Sequence, residues 1–240
     1  MRDLSQRALD AELMDSTPCH FEDYRDCLRD LERVNRLTLA YRPTLAFLDR
    51  LADEGQLPRG RPVRILDAGS GYGGMLRRIA RWSGRRGIAV ELTGVDHDLR
   101  AARAAAQATP AGPPIRWVTA DCLSYRPAPV PDVVVSALFA HHLDEASLVR
   151  FLVWMEAHAS VAWFVNDLHR HALPYVGFGL LARAAGWHRF VQHDGPLSIA
   201  RAFRAAEWRR YLAAAGVPED DVAILRRMPF RLCVARVRAP

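Results

Sequence analysis

Ile65-Leu66-Asp67-Ala68-Gly69-Ser70-Gly71-Tyr72-Gly73-Gly74 is the stretch on which the reading of this chain turns. An apolar run from Val63 to Ala68 leads into it, and a segment with helical spacing, Gly74 to Ser83, leads out. A strand, a glycine-rich turn and a helix in that order let a backbone close tightly around a ligand. Glycine permits the turn and the close approach, and the helix that follows offers unpaired N–H groups. Glycines alone do not tell one nucleotide ligand from another. Asp67 does, because an acid two residues before the first glycine attracts an ammonium group and repels a pyrophosphate.

Working outward, short apolar runs alternate with helical segments, the pattern of strand and helix units in a parallel sheet. Strands are predicted at Val63 to Ala68, Ala89 to Asp96, Ile115 to Thr119, Asp132 to Ala137 and Ser160 to Asn166. Helices are predicted at Gly74 to Ser83, Leu99 to Ala108 and Glu145 to His158. Before them, from Glu22 to about Leu51, apolar residues recur at steps of three and four, and Pro43 is expected to split that run into two helices. After them, Leu173 to Ala185 is apolar almost all round and reads as a buried helix or one covering a pocket. Ala205 to Ala215 is an amphipathic helix closed by Gly216, and Val222 to Arg226 with Arg231 to Val237 form an antiparallel pair. The expected fold is α/β, a Rossmann-like, doubly wound, mostly parallel sheet with an antiparallel C-terminal strand. A helical extension over 1–60 precedes a binding domain over 61–240.

Two further acids stand in register with the glycine turn. Asp96 ends the second strand, at the separation where an acid accepts both hydroxyls of a ribose, and Asp121 follows the third strand at the same sheet edge. Ser70, Gly71, Gly73, His97, Cys122 and Ala137 adjoin these points, so with Asp67, Gly69, Asp96 and Asp121 they form the expected cofactor contacts. Taken together these residues resemble a class I methyltransferase, which implies S-adenosyl-L-methionine as cofactor and methyl donor. Asp132 to Leu143, with its Ala140-His141-His142 end, is similar to the fourth strand and following loop of ubiquinone and menaquinone methyltransferases. The tail, with Asn166-Asp167-Leu168-His169-Arg170 and His193-Asp194-Gly195-Pro196-Leu197-Ser198, resembles bacterial methyltransferases found beside type III polyketide synthases. That likeness implies a phenolic or polyketide-like acceptor.

Methyl transfer from a sulfonium is an in-line displacement, so alignment and exclusion of water matter more than a covalent nucleophile. A hydroxyl acceptor must still lose its proton, and holding a phenol of pKa near 10 ionised at pH 7 costs about 4 kcal/mol. Imidazole is suited to accept that proton. The catalytic candidates are His141, His142, His169 and His193, with His169 preferred because neighbouring Asp167 would fix its tautomer. No metal is expected: Asn166-Asp167 lacks a third carboxylate, and Cys19-His20 with Cys27 lacks a fourth ligand. Phe139, Tyr175, Phe178, Leu180, Leu181, Trp187 and Phe190 supply apolar surface for a small-molecule acceptor. The N-terminal helices, through Tyr24, Arg33, Asn35, Arg36 and Tyr41, are read as a lid over the site or a homodimer interface.

Composition narrows the alternatives. The chain of 240 residues carries a formal charge of +6, yet it has no lysine and its 33 basic residues are arginines scattered among acids. That dispersal speaks for solvated faces and against a nucleic-acid partner. It also excludes a Schiff-base or phosphate-loop lysine. Four dispersed cysteines make no disulfide framework, and no long apolar run suggests membrane insertion, so a cytoplasmic location is expected. The competing functions are C-methylation of a quinone-like or phenolic ring, and binding of the donor without catalysis.

Overall fold

A computed structural model describes residues 2–16, 19–110 and 115–238. In chain order the elements are α1 (Leu13–Ser16), α2 (Phe21–Leu37), α3 (Arg42–Asp53), β1 (Val63–Ala68), α4 (Gly74–Arg86), β2 (Val90–Asp96), α5 (Leu99–Ala108) and β3 (Ile115–Thr119). There follow β4 (Val133–Ala137), α6 (Glu145–His158), β5 (Ala162–Leu168), α7 (Ala172–Ala184), α8 (Arg189–Arg201), α9 (Ala205–Ala214), β6 (Val222–Arg227) and β7 (Arg231–Val237). Short 3-10 turns cover Ala140–His142 and Glu219–Asp221.

The strands make one sheet in the order β3-β2-β1-β4-β5-β7-β6. From β3 to β5 neighbours run parallel, while β7 is antiparallel to both β5 and β6. The central strands β1, β4 and β5 are buried on both faces, which is why they read as nearly continuous apolar runs, while β2 and β3 toward the edge are more open. Side chains of β1 alternate accordingly: Ile65 joins Leu48, Leu76, Ile79 and Trp82 on the α3 and α4 side, and Leu66 joins Phe151, Leu152 and Trp208 on the α6 and α9 side. The chain leaves β1 toward β2 and returns to its other flank as β4. Such a switch point opens a crevice at the carboxyl ends of the strands, where ligands bind in open α/β sheets.

Two predicted details differ in the structure, and a third takes a definite form. The break between α2 and α3 falls at residues 38–41, where Leu39 adopts φ 53°, and Pro43 lies in the first turn of α3, where its missing N–H costs nothing. Helix α7 takes the second of its two expected forms, covering a pocket: only Gly179 and Ala182 are buried, Leu173 and Leu180 stand open to solvent, and the helix roofs a cavity. His193 to Ser198, for which no helix is expected, lies within helix α8, around Pro196. Gly195 is there for contact, since a Cβ on it would stand 1.9 Å from the Phe178 ring of α7.

Candidate active site

The glycine turn follows directly from β1. Gly69 takes φ 72°, and a Cβ there would stand 2.4 Å from the ring of Phe139, so both conformation and space demand glycine. The Gly69 and Ser70 amides donate to the Val95 carbonyl at 2.9 and 3.1 Å, which ties the turn to β2. Gly73 caps α4 at φ 74° against Trp117. Asp96 accepts from the Gly71 amide through Oδ2 at 2.8 Å and from the Asp98 amide through Oδ1 at 3.0 Å. Each carboxylate oxygen has a further lone pair for a ligand hydroxyl.

Asp67 is the anomaly of this end. It is 2 % exposed and its Oδ1 has no hydrogen-bond partner. Burial, and then the negative charge of Asp96, push its carboxyl well above the usual range. A cation brought against it would reverse the shift, because opposite charge favours the ionised form.

From this turn a cavity of about 550 Å³ runs beneath α7. Asp67, Gly69, Ser70, Gly71, Asp96 and His97 line it at one end, and Ala137, His141, His142 and His169 line it farther along. Gly73, Asp121, Cys122 and His193 do not line it. Asp121 is exposed and accepts from the Leu123 amide at 3.0 Å, the helix-cap-like use of such an acid. Cys122 is packed in the core, and burial pushes its thiol up to about 12. Of the apolar and aromatic residues expected at the acceptor, Phe139, Phe178 and Leu181 line the cavity, and Tyr175 and Leu180 do not. Trp187 instead packs beside Phe178 and Phe190 lies in the core beneath α2. Tyr24, Asn35 and Tyr41 of the N-terminal helices also line it, whereas Arg33 pairs with Asp30 on the surface.

The histidines are held differently from the sequence reading. Asp167, fully buried on β5, bonds His141 and not His169: its Oδ1 lies 2.7 Å from His141 Nδ1, and its Oδ2 accepts the His141 amide at 3.1 Å. The reason is that β4 lies beside β5, so the turn that follows β4 carries the His141 amide and ring onto Asp167, while the His169 amide is drawn to the Phe230 carbonyl at 2.9 Å. Burial alone would raise Asp167, but the imidazole beside it and the backbone N–H groups of His141 and Leu168 bring it below the usual carboxylate range. An ionised acceptor puts the proton on Nδ1 and turns Nε2 of His141 away from it. His169 sits half-buried, and burial together with Arg226 lowers its pKa below 6.5. His193 is outward, its side chain 53 % exposed and bonded to Asp194. Asn166 is spent on structure, donating to the Ala40 carbonyl and Thr44 Oγ1 at 2.7 and 3.1 Å.

The 3-10 turn that carries His141 and His142 is clamped from outside. Arg201 donates to the carbonyls of His141 and His142 at 3.0 and 2.8 Å, and Arg7 donates to that of Leu143 at 3.1 Å. Arg7 belongs to an N-terminal strap that crosses α8. The buried carboxylate of Asp194 fixes the strap by accepting the Leu13 and Met14 amides at 2.9 and 3.0 Å. Between these anchors the strap lowers Glu12 into the cavity, 4 % exposed, where Ser198 Oγ donates to its Oε1 at 2.7 Å. Glu12 Oε1 and Oε2 stand 3.9 Å from His141 Nε2 and His142 Nε2 respectively.

Residues 65–160 match the family profile of a methyltransferase domain. Over that stretch the chain carries a methyltransferase domain, and its fold is that of methyltransferases solved with S-adenosylhomocysteine bound. No curated relative matches it. Among solved structures it is similar to the plantazolicin methyltransferase BpumL in complex with S-adenosylhomocysteine, at 15% identity and TM-score 0.65 over 95% of this chain and 93% of that one. It is also similar to the magnesium protoporphyrin IX methyltransferase of Synechocystis PCC 6803, at 14% identity and TM-score 0.55 over 92% and 89%. The citrinin polyketide synthase CMeT domain aligns at 16% identity and TM-score 0.60, over 82% of this chain and 52% of that one. At these identities the likeness is one of fold.

The matched stretch of the methyltransferase covers the glycine turn and the two histidines but stops short of Asp167, α7, α8 and Arg231. The sequence reading missed Glu12, Arg7 and Arg201 as parts of this site. Arg201 had a signal, standing just after a motif already singled out, whereas Glu12 and Arg7 lie in a polar segment without periodicity. Among the described residues no helix of the methyltransferase is long and apolar enough to cross a membrane.

Proposed function

We propose that this methyltransferase transfers a methyl group from S-adenosylmethionine to a hydroxyl of a small aromatic or polyketide-like molecule. The observation that carries the reading is a single cavity with chemically opposite ends. One end holds the buried, unpartnered Asp67, and the other holds a buried imidazole–carboxylate pair, His141 with Asp167.

The donor residues suit the cofactor. Asp67 faces the ammonium group, Asp96 accepts the ribose hydroxyls, and Gly69, Ser70, Gly71 and His97 let the ligand approach the backbone. Bound there, the cofactor supplies an electrophilic methyl group. The chain's own residues do the rest. Phe139, Phe178 and Leu181 hold a flat or apolar acceptor and exclude water. His141, oriented by Asp167 so that its unprotonated Nε2 is turned to the cavity, accepts the proton of the acceptor hydroxyl, which for a phenol at pH 7 offsets a cost of about 4 kcal/mol. His169, neutral at pH 7, lines the same cavity as a relay for the departing proton.

Ring C-methylation is the second reading, supported by the similarity to a polyketide synthase CMeT domain. A screen of phenolic acceptors with mass detection tests the proposal, and proton and carbon NMR of the product separates a methyl ether from a C-methyl arene. Methyl ethers are expected. Absence of transfer to any phenol would overturn the reading.

A further inference from the structure

We propose that Glu12, His141 and His142 hold a divalent transition-metal ion of the zinc class at the acceptor end of the cavity. The site stands on geometry. Glu12 and His141 are buried, and one ligand atom from each of the three residues lies within 4.8 Å of the others. The Glu12 carboxylate oxygens stand 3.9 Å from each Nε2, a spacing at which one ion comes within reach of all three residues. Closing in by a few tenths of an ångström each brings the ligands to the ~2.0–2.1 Å of zinc–nitrogen and zinc–oxygen bonds.

The surroundings are those of a built site. His141 presents Nε2 because its Nδ1 is taken by Asp167 at 2.7 Å, the carboxylate–histidine arrangement that fixes a metal ligand's tautomer and raises its basicity. Glu12 is held in turn by Ser198 at 2.7 Å. The histidines are consecutive on a 3-10 turn, yet their rings converge to 4.4 Å between centroids while Arg7 and Arg201 pin the turn's carbonyls. Two imidazoles and one carboxylate favour zinc, cobalt or ferrous iron, whereas magnesium and calcium prefer oxygen alone. Three protein ligands leave a coordination position open, the mark of a catalytic site. All three line the cavity, so that position faces the acceptor.

Only the role given to the ion rests on the O-methylation reading. An acceptor hydroxyl bound to the ion loses its proton to solvent, since a bound zinc lowers even water from 15.7 to about 7. The oxygen keeps the O–H electron pair and forms a bond to the methyl carbon. The carbon–sulfur bond breaks and its electron pair returns to sulfur, leaving S-adenosylhomocysteine, a methyl ether and one released proton.

Chelator-stripped protein titrated with Co²⁺ and followed in the visible tests the site without any turnover. Intense bands of a low-coordinate cobalt site are expected, abolished when Zn²⁺ is added, with one zinc per chain by calorimetry. Zinc affinity is expected to fall more than 100-fold in Glu12→Gln and His142→Ala, and roughly 10- to 100-fold in Asp167→Asn, whose role is outside the coordination sphere. Unchanged circular dichroism and S-adenosylhomocysteine binding in each variant exclude misfolding as the cause. No cobalt bands at millimolar metal, or zinc affinity unchanged in both ligand variants, would overturn the inference. Full-rate methylation of a phenol by metal-free protein also overturns it, and leaves the O-methylation reading standing. Variant-sensitive zinc binding with no phenol methylated does the reverse.

Discussion

The two ends of the cavity are made from different materials. At the proposed donor end Asp67, the glycine turn, Asp96 and His97 come from one continuous stretch, and the Gly71 and Asp98 amides hold the Asp96 carboxylate. At the proposed acceptor end Glu12, His141, Asp167 and Ser198 come from separate segments drawn together by tertiary packing. The family match takes in the glycine turn, Asp96 and the two histidines, and ends before Asp167, Ser198 and the roof. A donor common to many enzymes needs one local solution. Acceptors differ, and the parts that meet them are carried on strap, roof and tail, where changes leave the sheet intact.

The contrast is sharpest when one end fails and the other does not. Asp167→Asn removes the charge that orients His141, so turnover is expected to fall roughly 10²- to 10⁴-fold while donor affinity, measured by calorimetry, stays within about threefold. A parallel loss of donor binding would mean the ends are not separable. Asp67→Asn is the mirror image. Donor affinity is expected to fall roughly 10²-fold or more, because a buried charge pair loses one partner. The ligand-free protein gains roughly 2–4 °C in Tm at pH 7, since a neutral amide no longer bears the cost of burying charge.

The same residue gives the donor end a pH signature. With its carboxyl raised above the unfolded value, Asp67 favours the folded, ligand-free state fully below pH ~4, and that contribution is lost as pH rises through the raised pKa. Donor affinity should move oppositely, climbing over the same interval and levelling off above it, as calorimetry across pH would read. A flat profile would deny Asp67 its cation.

Smaller effects mark the boundary of the acceptor end. Asp194→Ala frees the strap at Leu13 and Met14, so hydrogen exchange of residues 4–14 should rise and turnover should drop about tenfold, with donor affinity kept. His193→Ala should change turnover less than about threefold, because its ring points to solvent and away from the cavity. A large loss there would redraw the site.

What the sequence made legible follows the same division. The spans of β1, β3, β7, α5 and α6 agree with their expectation to the residue, because apolar periodicity and caps such as Asp98 and Asp144 are local signals. Helix α8 was hidden because Gly195-Pro196 reads as a chain break, while its glycine answers to Phe178 across a helix interface. Asp167 was seen, but its partner was assigned by nearness in sequence, and the pairing of β4 with β5 hands it to a histidine from another segment. Glu12 was invisible because nothing near it in the chain explains it.

Helix α7 gives this architecture a practical consequence. Its inner face, with Pro174, Phe178 and Leu181, lines the chamber, and its outer face shows Val176 and Leu180 to solvent. A sparingly soluble acceptor of the proposed kind meets an apolar landing outside the roof before it meets the apolar chamber inside, so much of its hydration is shed early, ahead of entry.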